Sequence, residues 1–353
     1  MFFQTKPVQV GDVVIGGGAP VTVQSMTRTD TSDVKKTLEQ VEELVSYGCE
    51  IIRVAVPGEE AAKSLREIKS CIDIPLVADI HFDFRLALLS LEQGVDKIRI
   101  NPGNIGGEDK LSRVVTAARQ RGAAIRIGVN AGSLEREIKT KHGKRTSDAL
   151  VESAVKHVKL MEKYSFDKIV ISLKAPGVLT TVQAYEKISS LVDYPLHLGI
   201  TEAGRGRKGI VKSSLGIGSL LLKGIGDTIR VSLTGEPVEE VLVGREILQS
   251  AELRQFGPEI IACPMCGRCR VDLASLLGEV EEILRDIKFP LKIAVMGCPV
   301  NGPGEAREAD IGISGGEGLG IIFKEGKVVQ KVPFNDLFKV LREEIEKMIP
   351  RNE

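Results

Sequence analysis

The sequence predicts an α/β protein in which a (β/α)8 TIM barrel is followed by a small α+β domain. Between residues 20 and 253, a short β-branched run, a polar or Gly-containing turn and a helical segment recur eight times in the same order. Strand–helix alternation is typical of a parallel sheet, and eight such units are the number that closes a barrel. After Pro258 the order of elements changes and a cluster of cysteines appears. An open, doubly wound sheet is the competing architecture for the first part.

The predicted barrel strands are short and rich in β-branched residues. The segments between them carry apolar residues at helical spacing, and two of these helices end at Gly48 and Gly94, as is typical of helix C-termini. The stretch before Pro20, VQVGDVVIGGGAP, predicts a hairpin that closes the barrel floor. The predicted strands are Val21–Met26, Ile51–Val56, Leu76–Ile80, Lys97–Asn101, Ile125–Val129, Lys168–Leu173, Leu196–Ile200 and Thr228–Leu233.

The last part of the chain predicts a separate α+β domain. We place the boundary near residue 255, so that residues 1–255 form the barrel and residues 256–353 form the second domain. Helices are expected over Leu273–Ile287 and Asn335–Ile349. Strands are expected at Glu259–Ala262, Leu291–Met296, Ile311–Ser314, Gly320–Phe323 and Val328–Val332.

The composition excludes several classes of protein. With 42% hydrophobic and 27% charged residues, the chain can bury a large core. Its 48 Lys+Arg balance its 48 Asp+Glu, which argues against a general binder of nucleic acid or anionic membranes. No leader precedes the first strand and no apolar run is long enough to cross a bilayer. A cytoplasmic protein is therefore expected.

Polar side chains are predicted inside the barrel. Residues two apart on a strand share a face, and a barrel interior is normally filled with Val, Ile and Leu. Guanidinium groups match phosphate oxygens, so an interior excess of three positive charges predicts a small di-anionic or diphosphorylated ligand at the C-terminal mouth. Ordinary ion pairs with loop acids are the alternative. The interior set is Arg53, Asp79, His81, Arg99, Asn101, Arg126, Asn130, Ser172, Lys174, His197, Thr201, Arg230 and Ser232, with Glu202 beside it.

The cysteine cluster is the strongest local motif. Cys263, Cys266 and Cys269 follow the pattern CxxCxxC, and Cys298 comes directly before a proline. Four thiolates at this spacing could hold zinc or an iron–sulfur cluster, and the CxxCxxC start with Cys-Pro favours iron–sulfur. The Gly/Pro-rich segment after Cys298 could return the carboxylate of Glu305 to the metal, where it would be an exchangeable ligand.

The two remaining cysteines, Cys49 and Cys71, lie alone in the sequence. Both fall within predicted barrel elements, where a free cysteine behaves as a small hydrophobic residue. We therefore expect both to be buried.

Eight segments of the chain resemble the successive motifs of one family, the bacterial 4-hydroxy-3-methylbut-2-enyl diphosphate synthases of the methylerythritol phosphate route to isoprenoids. The resemblance runs from about residue 8 to residue 345. It is carried by QSMTRTDT, ADIHFD, KIRINPGNIG, IRIGVNAGSL, ISLKAP, HLGITEAG, CPMC and GCPVNGPGE.

This resemblance implies a TIM barrel joined to a [4Fe-4S] domain similar to those of sulfite and nitrite reductases. The implied reaction is the two-electron reductive ring opening and dehydration of 2-C-methyl-D-erythritol 2,4-cyclodiphosphate. The electron donor would be flavodoxin or ferredoxin, and the enzyme would be a homodimer in which the cluster domain of one subunit caps the barrel of the other.

The family's functional residues fall on positions already singled out. The implied cluster ligands are Cys263, Cys266, Cys298 and, as a non-thiolate ligand, Glu305. The acidic residue implied to work opposite the cluster is Glu202. The implied diphosphate-binding residues are Arg53, Arg99, Asn101, Arg126, Asn130 and Lys174, with Asp79 and His81 nearby, and Ser172, Thr201 and Arg230 join them as further interior candidates.

Two positions depart from the family pattern. Cys269 stands where no thiol is required, so it is either a bystander or a competitor of Glu305 for the fourth iron. Arg28 stands where the family usually has Asn, which leaves the surroundings of the first strand's end open.

Two rival functions remain. One is a pterin-type barrel transferase acting on a phosphorylated ligand, with a structural four-cysteine zinc domain. The other is a non-catalytic iron–sulfur carrier or sensor.

Overall fold

The structure is a computed structural model, and it describes residues 4–143, 146–298, 304, 306–316 and 318–349. The chain divides into two compact units, Met1–Arg254 and Gln255–Glu353. The described part of the first unit holds a two-stranded and an eight-stranded sheet, and that of the second holds a five-stranded sheet.

A short hairpin opens the first unit. Strands β1 (Val8–Val10) and β2 (Val13–Ile15) pair in the antiparallel direction. Their inner side chains are fully buried and pack in one apolar cluster with residues near the start of four barrel strands. This cluster, the barrel floor, closes the end of the barrel as the sequence predicts. Its barrel members are Ile51, Val77, Ala124 and Val170.

The eight-stranded sheet is a parallel barrel. Its strand order is β8-β7-β6-β5-β4-β3-β10-β9, and a bridge between Ile171 and Leu196 joins the two ends of that order. The predicted (β/α)8 barrel is thereby confirmed. The strands are β3 (Thr22–Met26), β4 (Ile51–Ala55), β5 (Leu76–Asp79), β6 (Lys97–Ile100), β7 (Ala124–Asn130), β8 (Ile169–Lys174), β9 (His197–Leu198) and β10 (Thr228–Ile229).

Helices follow the strands and bury apolar faces against them. Gly48 and Gly94 adopt φ values of +97° and +89° just after two of these helices, a conformation that favours glycine. In the described part of the chain, no helix is both long and apolar enough to cross a bilayer. The helices are α1 (Val34–Ser46), α2 (Glu59–Ser70), α3 (Phe84–Glu92), α4 (Glu108–Arg121), α5 (Arg136–His142), α6 (Thr146–Lys163), α7 (Val178–Ser189), α8 (Gly206–Leu221) and α9 (Pro237–Ser250).

The last two barrel strands are shorter than the sequence predicts. Strand β10 was expected to reach Leu233, but it ends at Ile229. A side chain replaces the neighbouring strand as hydrogen-bond acceptor here. The Leu233 N–H donates to the Glu240 carboxylate at 2.9 Å. After β9 the chain turns at Glu202, whose φ is +54°.

In its described part, the second unit is a mixed sheet with two α-helices and one short 3-10 helix, Phe334–Asp336. Strands β11, β12 and β13 are parallel, whereas β14 and β15 join antiparallel. The helices pack on the sheet through a core that includes Leu276, Ile313 and Leu341. Similarity to the sulfite and nitrite reductase domains stays a prediction. The elements are β11 (Glu259–Ala262), α10 (Leu273–Leu284), β12 (Lys292–Met296), β13 (Ile311–Gly315), β14 (Leu319–Lys324), β15 (Lys327–Pro333) and α11 (Leu337–Met348).

The two isolated cysteines behave differently from each other. Cys49 is buried, as expected, and burial raises the pKa of its thiol to about 12. Cys71 is exposed, so the expectation that it is a buried hydrophobic residue is wrong. It lies at the C-terminal end of α2, where the chain leaves the apolar face of the helix.

Candidate active site

The inner face of the barrel carries an excess of positive charge. Arg53 and Arg126 face inward because each lies two residues after a member of the barrel floor, Ile51 or Ala124. The buried or nearly buried set leaves a formal excess of four positive charges, six cations minus two acids: Arg53, Lys97, Arg99, Arg126, Lys174 and Arg230 against Asp79 and Glu240. The excess of positive charge expected from the sequence is three. That expected set does not include Lys97, and it contains Glu202, which is exposed, in place of Glu240.

Asp79 is the acid at the centre of this set. One of its carboxylate oxygens, Oδ1, accepts a hydrogen bond from Arg99 Nη1 at 3.2 Å. The other, Oδ2, lies 3.9 Å from Arg53 Nε and 3.5 Å from His81 Nε2. Burial alone would raise the pKa of Asp79, but Arg53, His81 and the other arginines lower it well below its usual range. Asp79 is therefore a fixed negative charge that orients two arginines.

Arg53 has an unusual second partner. Its Nε and Nη2 atoms lie 3.1 Å and 3.0 Å from the sulfur of Met26 on the neighbouring strand β3. A thioether is a weak acceptor, so the guanidinium is only weakly satisfied. Burial and the nearby arginines outweigh Asp79 and lower the pKa of Arg53 to about 9.

Arg126 and Lys174 are two further buried cations of the set. Arg126 is 1% exposed, and its Nε and Nη1 have no hydrogen-bond partner among the described residues. Burial and the surrounding arginines lower the pKa of both Arg126 and Lys174 well below their ordinary values. Buried donors without acceptors are costly, so this arrangement favours an anionic ligand that supplies the acceptors.

Two inward-facing glycines make room for the long cations. A Cβ atom on Gly128 of β7 would lie 2.4 Å from Arg99 Nε. A Cβ atom on Gly199 would lie 2.9 Å from Lys174 Nζ and 2.7 Å from the Arg230 carbonyl oxygen. Any larger residue at either position would displace a cation, so these glycines are part of the site.

Arg230 is held from outside the strand by helix α9. The Glu240 carboxylate, which is 2% exposed, accepts from Arg230 Nη2 at 3.1 Å and from Arg28 Nη2 at 3.1 Å. Arg28 Nη2 also donates to the Leu233 carbonyl oxygen at 2.8 Å. Glu240 was missed from the sequence, although its spacing from Val241, Gly244 and Ile247 places a carboxylate on the buried face of α9.

The neutral candidates lie on or after the same strands, and two of them support local structure. Asn101 is buried, donates from Nδ2 to Ser133 Oγ at 3.2 Å and accepts the Gly103 N–H at 3.1 Å. Ser172 is buried and donates to the Ile127 carbonyl oxygen at 3.4 Å. The other two, Asn130 and Thr201, are half-buried.

Two candidates stand at the solvent-facing end. His81 is exposed and follows β5, in contact with Asp79. Glu202 is exposed and adopts a left-handed backbone conformation that is rare for residues other than glycine. Such conformations cost free energy and concentrate at functional sites. Both side chains are accessible to a ligand at the C-terminal ends of the strands.

The cysteine motif of the second unit lies where β11 and β12 end. Cys263 Sγ accepts the Gly297 N–H at 3.2 Å, and a Cβ atom on Gly297 would lie 2.5 Å from Cys269 Sγ. Cys269 donates its own S–H to the Val271 carbonyl oxygen at 3.2 Å, so its hydrogen is engaged by the backbone. This contact favours the interpretation of Cys269 as a bystander.

The donor chemistry of this motif fits an iron–sulfur cluster. Cys266 is exposed, and a backbone hydrogen bond from Arg268, together with the charge of that residue, lowers the pKa of its thiol. Cys298 is half-buried and directly follows Gly297. Glu305 lies outside the described residues, and the described residues hold no assembled group of three or more His, Cys, Asp and Glu side chains that could bind a metal.

The fold and the site together define a TIM barrel with a cationic interior, joined to a cysteine-bearing α+β domain. A family model described as the GcpE TIM-barrel domain matches residues 5–245, and one described as the GcpE protein C-terminal domain matches residues 259–347. The chain belongs to the GcpE family.

Curated relatives match the chain over nearly its whole length. A protein of Caldanaerobacter subterraneus subsp. tengcongensis is 60% identical over 98% of this chain and 97% of its own length. A protein of Clostridium tetani is 55% identical over 97% of this chain and 98% of its own. Both are named 4-hydroxy-3-methylbut-2-en-1-yl diphosphate synthase (flavodoxin).

Two solved structures are similar to 70% of the chain. The dihydropteroate synthase of Stenotrophomonas maltophilia aligns with a TM-score of 0.52 at 12% identity, covering 70% of this chain and 98% of its own. That of Yersinia pestis gives a TM-score of 0.51 at 13% identity, covering 70% and 97%. At such identity the likeness supports the fold and not the pterin-type function.

Proposed function

We infer that the chain is a 4-hydroxy-3-methylbut-2-enyl diphosphate synthase of isoprenoid biosynthesis. The full-length likeness to relatives of that name supports the activity. The reaction opens the ring of 2-C-methyl-D-erythritol 2,4-cyclodiphosphate, with two electrons and two protons entering and one water leaving. The observation that carries the substrate class is the uncompensated cationic interior of the barrel, since a cyclic diphosphate supplies the acceptors that this interior lacks.

The barrel cations would bind the diphosphate and stabilise it as a leaving group. Asp79 orients Arg53 and Arg99, and Glu240 orients Arg230, so these donors are in place before the substrate arrives. Charge that develops on the departing diphosphate then needs little reorganisation of the protein. Further contacts are proposed from Asn101, Arg126, Asn130, Ser172, Lys174 and Thr201, with His81 at the solvent-facing end.

The second unit would carry the redox cofactor. We assign a [4Fe-4S] cluster to Cys263, Cys266, Cys298 and Glu305, because three thiolates and an exchangeable carboxylate leave one metal accessible. When bound, such a cluster supplies electrons one at a time. Flavodoxin, which the names of the relatives include, is the proposed donor, and ferredoxin is the alternative. A structural zinc site at the same cysteines would accompany the rival transferase function.

Glu202 would donate a proton to the departing hydroxyl. Its exposed carboxyl group lies in the turn after β9, in the same loop as the half-buried Thr201. Glu202→Gln removes the transferable proton but keeps the shape of the side chain. We expect turnover to fall by at least about a hundredfold with unchanged iron content. Loss of iron in this variant would show that the residue supports the cofactor instead.

The experiment that tests the function is anaerobic purification followed by metal analysis, a visible spectrum and turnover. We expect iron, sulfide and broad visible absorption, and product formation from the cyclic diphosphate with reduced flavodoxin. Zinc in place of iron would favour the transferase. A cluster that is reduced but produces no turnover would favour the sensor. A homodimer and a cytoplasmic location stay predictions, and sedimentation of the purified chain measures the first.

A further inference from the structure

One buried lysine has no place in the mechanism above. Lys97 is the first residue of β6 and is 0% exposed. Its Nζ has no hydrogen-bond partner within the part of the chain that the structure describes. Its register neighbours are Val77 and Ala124, which both belong to the barrel floor. An apolar residue would suit these neighbours better, so a lysine here requires an explanation.

A layer of polar side chains occupies the other side of the barrel. His197, Thr228 and Thr22 are register partners on β9, β10 and β3, and Gln24 follows two residues after Thr22 on the same face. All four are between 0% and 5% exposed. Within the described residues, the hydroxyls of both threonines, both amide atoms of Gln24 and both ring nitrogens of His197 lack hydrogen-bond partners.

His197 of this polar layer and Lys97 are both influenced by the positive charges of Arg126 and Arg53. Burial and the charges of Arg126, Lys174, Lys97 and Arg53 lower the pKa of His197 well below its usual value. Buried polar groups in folded proteins are nearly always satisfied by protein atoms or ordered water. Because this layer offers both donors and acceptors, water is the occupant that can satisfy it.

We propose that Lys97 and the polar layer form a hydrated inner compartment below the diphosphate site, in which Lys97 takes up a proton when the diphosphate binds and helps to neutralise it. This inference rests on the proposed function. Lys97 would act as a positioning residue. Its positive charge would stabilise the bound diphosphate at a distance and through ordered water, without contact with the reacting atoms. It is linked to the site through Val77, whose register partner on the other side is Arg53.

The direction of the proton uptake follows from the charges that face Lys97. In the free protein, burial and then Arg126 and Arg53 lower its pKa well below the usual value, against the weaker opposing effect of Asp96. The other charged groups of the interior are, strand by strand, Asp79, Arg99, Lys174 and Arg230. A bound polyanion opposes the field of these cations and so raises the pKa of the amine. Binding therefore draws a proton from solvent at a pH between the two pKa values.

The experiment is calorimetric titration of the full-length protein with inorganic pyrophosphate at pH 8, in buffers of different ionisation enthalpy. The slope against buffer enthalpy gives the number of protons taken up for each ligand bound. Three variants are compared with the wild type. Lys97→Met removes the amine, Lys97→Arg makes the positive charge permanent, and Lys63→Met removes a surface lysine on α2 as the matched control. The protonation of pyrophosphate itself is common to all four titrations and cancels in the comparison.

We expect K97M to bind about tenfold more weakly than the wild type and to take up fewer protons. We expect K97R to keep most of the affinity but to show the lower proton number of K97M, and K63M to match the wild type. Equal affinity and proton number in K97M would overturn the inference, and so would a wild-type proton number in K97R. If K97M does not fold, K97R alone decides. A wild-type protein that binds neither pyrophosphate nor the cyclic diphosphate contradicts the proposed function and, with it, this inference.

Discussion

Glu240 explains why an arginine can stand at position 28. Its buried carboxylate receives Arg28 and Arg230 on different oxygens and also accepts the Leu233 N–H. The half-exposed Arg28 therefore ties the end of the first barrel strand to helix α9. Arg230 keeps its own hydrogen bond to Glu240, so the departure from the family pattern leaves the inner site supported.

Glu240→Gln tests this carboxylate. We expect the free energy of unfolding to fall by about 2 kcal/mol, less than for a fully buried pair because Arg28 reaches solvent. The KM for the cyclic diphosphate should rise, since Arg230 loses its orienting charge. Urea unfolding and steady-state kinetics measure the two effects. Glu239→Gln, at the half-buried neighbouring position on α9, is the control and should change neither. An E240Q protein with wild-type KM would remove Glu240 from the support of the site.

Much of the site at the residue scale could be predicted from strand alternation. Arg53, Arg99 and Arg126 follow the rule that residues two apart share a face, and the structure buries all three. The same rule reaches Lys97 by one further step down β6. Glu240 could not be predicted in this way because it reaches the site from helix α9. Contact between a helix and a strand depends on tertiary packing, which the periodicity of a single segment does not show.

Strand β7 needs a glycine at position 128 because a side chain of the neighbouring strand passes close to its backbone there. Arg99 on β6 extends across this point of its neighbour, and a Cβ atom there would lie 2.4 Å from its Nε. Gly128→Ala should displace Arg99 from Asp79 and weaken binding of the cyclic diphosphate by at least about tenfold, the loss of one charge-assisted hydrogen bond. Calorimetry measures the affinity.

The matched control for this variant is Gly132→Ala. Gly132 lies in the turn directly after β7, and a Cβ atom on it would meet open space. We expect wild-type affinity in this control. Equal losses in the two variants would mean that the turn, and not the approach of Arg99, limits binding.

The elements themselves were largely predictable, and their ends less so. Alternation of β-branched runs with helical spacing located all eight barrel strands, because burial on both faces leaves a strong pattern. Strand ends depend on which acceptor each N–H finds. At Leu233 that acceptor is a carboxylate seven residues later in the sequence, which no pattern of hydrophobicity encodes.

The whole molecule consists of two units, each with a core of its own. Leu341 on α11 is fully buried in the core of the second unit. Leu341→Ala should cost about 2–5 kcal/mol in the stability of that unit. Because the barrel has a separate core, we expect scanning calorimetry to show one transition lowered, with pyrophosphate binding to the barrel unchanged.

Lys339→Ala, at an exposed position on the same helix, is the control and should leave both transitions in place. A single cooperative transition that shifts as a whole in L341A would show instead that the two units unfold together.

The sulfur of Met26 gives the binding site a replaceable partner. It occupies two donors of Arg53 in the absence of ligand, yet a thioether holds them far more weakly than a carboxylate would. An incoming phosphate can therefore bind these two donors while Asp79 continues to orient the same guanidinium. A weak acceptor of this kind keeps the arginine in a defined orientation until the substrate binds, and its replacement by a phosphate oxygen costs little free energy.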